Sequence, residues 1–233
     1  MCQPCLDQIT SLDGILCSIC GEKLFSGHVA SDGPPLCGIC RRAAPPFRRA
    51  VSYGGYAGNL RELVHLLKYH QVKSAAGFLA RLMTQSIAMM ELPDSFVVVP
   101  VPLWKGKRRT RGFNQAEAIS RELLKNFHPS RRAAASIQLD TTSLVRQRET
   151  ASQTGLTRHQ RRANVRGAFA VVRPDAVRGQ TILLVDDVMT TGTTAGECAR
   201  VLLRAGAKEV FVATVARATK EVQGGQVFAA VAQ

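Results

Sequence analysis

Residues Ile182–Thr194 read ILLVDDVMTTGTT, the densest concentration of chemistry-bearing groups in this 233-residue chain. An apolar run leads into two adjacent acids, then a Thr- and Gly-rich turn, then a helix-like segment. An apolar run of this length bounded by polar turn residues has the pattern of a buried parallel strand. Asp186 and Asp187 would then fall at the strand's carboxyl end, where open α/β sheets bind ligands. Thr190, Thr191, Gly192, Thr193 and Thr194 supply hydroxyls and a run of backbone N–H groups at a helix N-terminus. Unpaired donors and the positive end of the helix dipole both favour phosphate there. Carboxylates that accept from ribose hydroxyls, beside a loop that holds a 5′-phosphate, suit a sugar phosphate. Reading the same residues as a strand and a capped helix alone leaves two buried carboxylates without partners, which is costly.

Two further segments belong with this one. Val101–Leu124, VPLWKGKRRTRGFNQAEAISRELL, follows an apolar strand and predicts a basic loop with Lys105, Lys107, Arg108, Arg109 and Arg111. A cationic loop at a strand's carboxyl end suits pyrophosphate, in the same crevice as the acids. The stretch from Asp140 to Arg166 has little periodicity and many polar residues, among them Arg146, Gln153, Arg161 and Asn164. A long irregular segment inside a compact domain predicts a mobile lid over a reactive sugar.

Six of the seven cysteines fall in the first 40 residues as three CxxC pairs. Cys17 and Cys20, then Cys37 and Cys40 after sixteen intervening residues, have the spacing of a four-cysteine zinc ribbon. The segment has few large apolar residues, so the metal would fold it. Cys2 and Cys5 make a half-site that upstream residues, His28 or a second molecule would have to complete. Cys198 stands alone in a helical stretch and reads as a packing residue.

The elements that must position these groups follow from patterning. VSYGGY (Val51–Tyr56) and FVVVPV (Phe96–Val101) read as strands, as do Ala168–Val172, Gly179–Asp187 and Glu209–Ala216. Apolar stripes predict helices over Asn59–Tyr69, Lys73–Met90 and Thr193–Arg204, and one starting near Asn114. This alternation predicts an α/β fold with a doubly wound parallel sheet. The Ala43–Pro46 stretch reads as a linker, dividing a ribbon over 1–46 from a larger domain over 47–233, each with its own core.

The net charge is +14, and Leu103–Arg178 carries 17 Lys and Arg against 5 Asp and Glu, a net +12. A polyanionic partner follows, either nucleic acid or a pyrophosphate-bearing substrate. Trp104, Phe113 and Tyr69 are available to stack on single-stranded bases. No apolar run approaches the ~20 residues of a membrane span, and the polar, Cys-bearing start does not read as a signal peptide. A cytoplasmic location is the expectation.

Taken together, the CxxC pairs, VPVPLWKGKRRTRGFNQA (Val99–Ala116), QTGLTRHQRRANVRGAF (Gln153–Phe169) and VDDVMTTGTT (Val185–Thr194) resemble the ComF family, which includes the GntX-type proteins. The last of these also resembles the 5-phosphoribosyl-1-pyrophosphate (PRPP) signature of type I phosphoribosyltransferases. The resemblance covers nearly the whole chain and implies a zinc ribbon joined to a phosphoribosyltransferase-like domain. It implies that Asp186 and Asp187 contact ribose hydroxyls, that Thr190–Thr194 hold the 5′-phosphate, and that Mg²⁺ accompanies PRPP. It further implies a role in handling DNA taken up during natural transformation, with single-stranded DNA and the uptake machinery as partners. Several relatives with a long ribbon carry four CxxC pairs where this chain has three, so the start lies further upstream or one site has decayed. The alternative expectation is a Mg²⁺-dependent phosphoribosyltransferase of unknown acceptor, with Asp186 and Asp187 as its catalytic acids.

Overall fold

A computed structural model describes residues 1–24, 33–127, 136–150, 157–218, 220–223 and 226–229. Its centre is a five-stranded, wholly parallel sheet in the order β1-β7-β6-β2-β3. These strands are β1 (Arg49–Gly55), β2 (Phe96–Pro100), β3 (Ile137–Leu139), β6 (Thr181–Met189) and β7 (Glu209–Arg217). Two short antiparallel pairs stand apart from it, β4 (Leu144–Arg146) with β5 (Phe169–Val171), and β8 (Lys220–Gln223) with β9 (Gln226–Ala229).

The run Ile182–Val185 is buried at every position because β6 lies between β7 and β2 with a layer on each face. Alternate residues serve the two layers, as the two-residue period of a strand requires. Leu183 and Val185, with Val98 and Phe211, meet α3 (Gly58–Tyr69), α4 (Ala75–Ile87) and α6 (Gln115–Asn126). Ile182 and Leu184, with Val97, Val99 and Val212, meet α8 (Thr193–Arg204). Each fully buried Leu, Ile or Val contributes about 1.5–3 kcal/mol relative to exposure. The sheet is therefore doubly wound, as the strand-helix alternation predicts.

Three local expectations are corrected. Strand β6 runs past the two acids to Met189, so Asp186 and Asp187 lie within it and not at its end. The basic stretch is a helix, α5 (Lys105–Arg111), closed by Gly112 at φ 80°. It has no apolar stripe and buries no residue, which is why it reads as a loop. The segment from Asp140 to Arg166 is not irregular throughout, for it contains β4 and helix α7 (Arg158–Val165). A capping box joins Thr157 and Gln160 at the start of α7, and buried Val165 anchors its end.

The first 46 residues do not make a separate core. Cys17, Cys20, Cys37 and Cys40 share one apolar cluster with Phe47, Met189 and α8. The Ala50 N–H donates to the Ile19 carbonyl at 2.7 Å, and the Leu12 N–H to the Tyr53 carbonyl at 2.6 Å. At Gly54 an added Cβ would lie 2.8 Å from the Thr10 carbonyl oxygen, so only glycine lets the N-terminal segment approach β1. The cysteine knuckles are thus one wall of the larger domain's core.

Cys37→Ser is expected to lower the single thermal transition of the whole chain, not to melt a ribbon that leaves the sheet intact. Calorimetry with zinc analysis checks this. Two separate transitions, with the larger unmoved, would restore the two-core arrangement.

Candidate functional site

Asp187 is 4% exposed, and its Oδ2 lies 2.7 Å from Nζ of Lys68 on α3. Burial works against the Lys68 charge, but the Asp187 carboxylate outweighs it and holds the lysine above its ordinary pKa. The Val188 N–H donates to Asp187 Oδ1 at 2.8 Å, and the Asp187 N–H to Asp186 Oδ1 at 2.9 Å. Burial first, and then the Asp187 charge, push Asp186 well above the usual carboxylate range. Burial lowers the Arg146 pKa and pushes the Cys198 thiol up.

Lys68 was not singled out from the sequence, although a signal was present. It extends the buried Leu60–Val64 stripe by four residues, an unusual place for a lysine. Its partner is legible only in three dimensions.

After β6 the chain turns through Thr190, Thr191 and Gly192 into α8. Gly192 has φ 73°, and an added Cβ would lie 2.7 Å from Met189 Cε, so the turn requires glycine. The Thr191 and Thr193 hydroxyls are 2.6 Å apart. Arg161 of α7 donates to the Thr190 hydroxyl at 3.1 Å. Of the four residues expected in a lid, Arg161 therefore reaches the Thr loop. Arg146 instead turns inward, donating to the Thr150 hydroxyl and lying 5.4 Å over the Phe169 ring. The Asn164 carbonyl accepts from Arg148 at 2.9 Å, which ties the end of α7 to the chain after β4. Gln153 lies outside the described residues.

The α5 cations stand beside a different part of the site. Val101 N–H donates to the Val185 carbonyl at 2.8 Å, so the chain after β2 runs next to Asp186. Asn114, buried, donates to the Val101 carbonyl at 3.0 Å and caps α6 through the Ala116 N–H. Arg111 lies 5.4 Å over the Tyr69 ring and donates to Gln115 Oε1 at 2.6 Å. Arg108 faces Glu117 at 3.4 Å, and Lys105 lies 5.3 Å over the Trp104 ring. Lys105, Arg108 and Arg109 are exposed. All three aromatics expected to stack on bases thus carry a cation, for Lys73 Nζ lies 6.0 Å over the Phe113 ring, which also packs against the core on the α3 side.

The four ribbon cysteines offer sulfur atoms that all lie within 4.8 Å of one another. Cys20 Sγ and Cys37 Sγ are 3.7 Å apart, close to the ~3.8 Å that tetrahedral Zn–S bonds of ~2.3 Å imply. The Cys40 N–H donates to Cys37 Sγ at 3.4 Å, as in a tight metal-binding knuckle. Protons are unequally held here: a hydrogen bond from Cys20 holds Cys17 down at about 4, and burial pushes Cys40 up to about 12. The donor set fits a structural Zn²⁺. Among the described residues this is the single group of three or more metal-ligating side chains. Cys2 and Cys5 lie 3.3 Å apart near the chain start, and His28 falls outside the described residues.

Arg217, at the end of β7 and only 3% exposed, joins this knuckle to the sheet. It donates to the Cys20 carbonyl at 2.6 Å and to Glu22 Oε2 at 2.5 Å. In the sheet Arg217 pairs with Met189, the residue before the Thr loop.

Residues 109–223 match the phosphoribosyl transferase domain model. The chain is 34% identical to the DNA utilization protein YhgH of Escherichia coli K12 over 218 residues, covering 91% of this chain and 88% of that protein. The chain belongs to the ComF family. Competence protein F of Haemophilus influenzae is 30% identical over 94% of this chain and 90% of its own length. Competence protein ComFC of Bacillus subtilis is 24% identical over 88% and 79%. This ComF chain thus combines a phosphoribosyltransferase-type parallel sheet with a four-cysteine cluster. No helix among its described residues is long and apolar enough to cross a membrane.

Because the raised Asp186 pKa means that the fold resists its charge, Asp186→Asn should stabilise the chain at neutral pH. The sign follows from linkage: the folded state binds the extra proton between the ordinary and the raised pKa, so stability falls as pH rises through that window. The gain should amount to a few degrees in Tm at pH 7 and vanish below about pH 4, the ordinary aspartate value. Melting curves of parent and variant from pH 3 to 8 check this; a lower Tm for the variant at pH 7 contradicts it.

Proposed function

We propose that this protein binds PRPP or a related sugar phosphate with Mg²⁺ at the β6–α8 turn, and binds single-stranded DNA during DNA uptake. Asp186 and Asp187 accept from the ribose hydroxyls, and Thr190–Thr194 hold the 5′-phosphate. The observation that carries the reading is the Thr loop itself, with glycine at its turn, a helix N-terminus behind it and Arg161 on Thr190. The pair Asp187–Lys68 supports it, because it gives a buried acid a cationic partner at 2.7 Å beside that loop. The exposed cations Lys105, Arg108 and Arg109 of α5, with Arg111, supply a surface for pyrophosphate or for DNA phosphates. The DNA reading draws on the charge of Leu103–Arg178 and on the relatives named for DNA utilization and competence. In this reading residues 1–46 form the zinc-bearing part and residues 47–233 the phosphoribosyltransferase-like part, with the protein acting in the cytoplasm beside the uptake machinery.

Calorimetric titration with PRPP and Mg²⁺ tests the sugar-phosphate arm. Binding should be lost in Asp186→Ala/Asp187→Ala, each unpaired hydroxyl contact costing about 1–3 kcal/mol. Equal affinity in parent and variant would contradict the assignment. Fluorescence anisotropy of labelled oligonucleotides at several salt concentrations tests the DNA arm. Affinity should fall with a slope near 0.7 per phosphate contacted, roughly equally across sequences. Removing the charges of Lys105, Arg108, Arg109 and Arg111 should flatten that slope, and an unchanged slope would contradict their role.

A further inference from the structure

The Thr loop opens on one side into a cleft of about 1020 Å³ that neither Asp186 and Asp187 nor the α5 cations line. Its far wall is the cysteine knuckle, and Thr190–Thr193 form one end. Pockets for small ligands run about 300–1,000 Å³, so this one is large for a single sugar phosphate.

Its lining defines a chemistry. Arg162 and Arg166 are exposed and four residues apart along and just after α7, on the same side as Arg161. Exposed Arg42, at the end of α2 (Gly38–Arg42), lines the cleft from the knuckle side. The two acids in the lining are already engaged. Glu22 pairs with Arg217, and Glu197 pairs with Arg200 and accepts from the Gly167 N–H at 2.7 Å. The field in the cleft is therefore positive. Pro45, Pro46 and Phe47 add an apolar and conformationally stiff wall.

A phosphate cradle that continues into a trough with cations on both sides fits a chain of phosphates with one free end. We propose that the cleft seats the 5′-phosphorylated end of a single nucleic-acid strand. The terminal phosphate lies in the Thr190–Thr193 loop, and the next phosphates run between Arg162 and Arg166 on one side and Arg42 on the other. A terminal phosphate monoester presents three free oxygens to converging donors, whereas an internal diester presents two. This inference rests on the proposed reading of the Thr loop as a 5′-phosphate site, and it deepens the DNA arm by naming which part of a strand is recognised. It has one strict consequence: PRPP and the strand end compete, because both need the same loop.

The test uses the full zinc-loaded chain and short 3′-labelled oligonucleotides of one sequence, with a 5′-phosphate, a 5′-hydroxyl or a 3′-phosphate beside an internal label. Anisotropy should give about tenfold tighter binding for the 5′-phosphorylated strand, the size expected of one or two added charge-assisted hydrogen bonds. PRPP with Mg²⁺ should erase that advantage, and the 3′-phosphate should behave as the 5′-hydroxyl does. Arg162→Ala/Arg166→Ala should weaken every strand while leaving PRPP affinity within about twofold, with circular dichroism and zinc content reporting its fold. Equal affinity for all three ends, or an advantage that PRPP does not erase, overturns the inference while leaving DNA binding as such in place. Intact PRPP binding with no DNA binding at low salt overturns both the inference and the DNA arm. A 5′-phosphate advantage with no PRPP binding removes the sugar-phosphate reading and the shared loop together. The parent comparison stands on its own if the double variant does not fold.

Discussion

The ion pair between Asp187 and Lys68 is the interaction on which the rest of the site depends. A carboxylate on the central strand of a parallel sheet has no water to neutralise it, and its removal from solvent is costly unless a cation is brought in. The fold supplies that cation from α3, at 2.7 Å and nearly enclosed. Once Lys68 is fixed, the end of α3 is fixed too. Tyr69 then receives Arg111, and Arg111 in turn reaches Gln115 in the first turn of α6. The acid of β6 therefore sets where the basic helix α5 can stand. Asp186, the next residue along β6, belongs to the face that meets α8, so the adjacent acids address both faces of the sheet.

A second constraint comes from the cysteine knuckle. Arg217 would be an expensive buried cation, but Glu22 and the Cys20 carbonyl both come from the knuckle to meet it. Its strand partner is Met189, whose Cε occupies the space a side chain at Gly192 would need. Knuckle, β7, Met189 and Thr loop are consecutive links of one packed chain of contacts. Loss of a metal from the knuckle would thus be felt at the Thr loop and not only in the ribbon.

The middle of the sheet was legible because β2 and the first half of β6 are continuous apolar runs, the pattern of strands buried on both faces, whereas β3 (Ile137–Leu139) is too short and too exposed to show one. The four-cysteine cluster was legible from spacing alone, since two CxxC knuckles have few other uses in such a segment. The order of α7 had a signal as well: Thr157 and Gln160 spell a capping box, although the helix between Arg158 and Val165 is too polar to show a stripe. Helix α5 gave less, because its link to α3 is Arg111 over the ring of Tyr69, a contact between residues far apart in sequence. The same holds for Lys68 with Asp187 and Arg217 with Glu22. A buried charge can be suspected from its place on an apolar stripe, but its partner is a property of the fold. The expectation of two separate cores missed for a related reason: the Pro45–Pro46 stretch punctuates the chain, yet Phe47 beside it packs into a core that both parts share.

The measurement that bears most directly on this account is a double-mutant cycle on the central ion pair, Lys68→Met and Asp187→Asn, followed by denaturant unfolding of the zinc-loaded chain. Lys68→Met alone should destabilise by about 3–5 kcal/mol, because it strands a buried carboxylate. The double variant should lose less than the sum of the two single losses by about 1–3 kcal/mol. Additive losses would mean that Lys68 does not hold Asp187, and the arrangement of the site around β6 would then have to rest on some other contact.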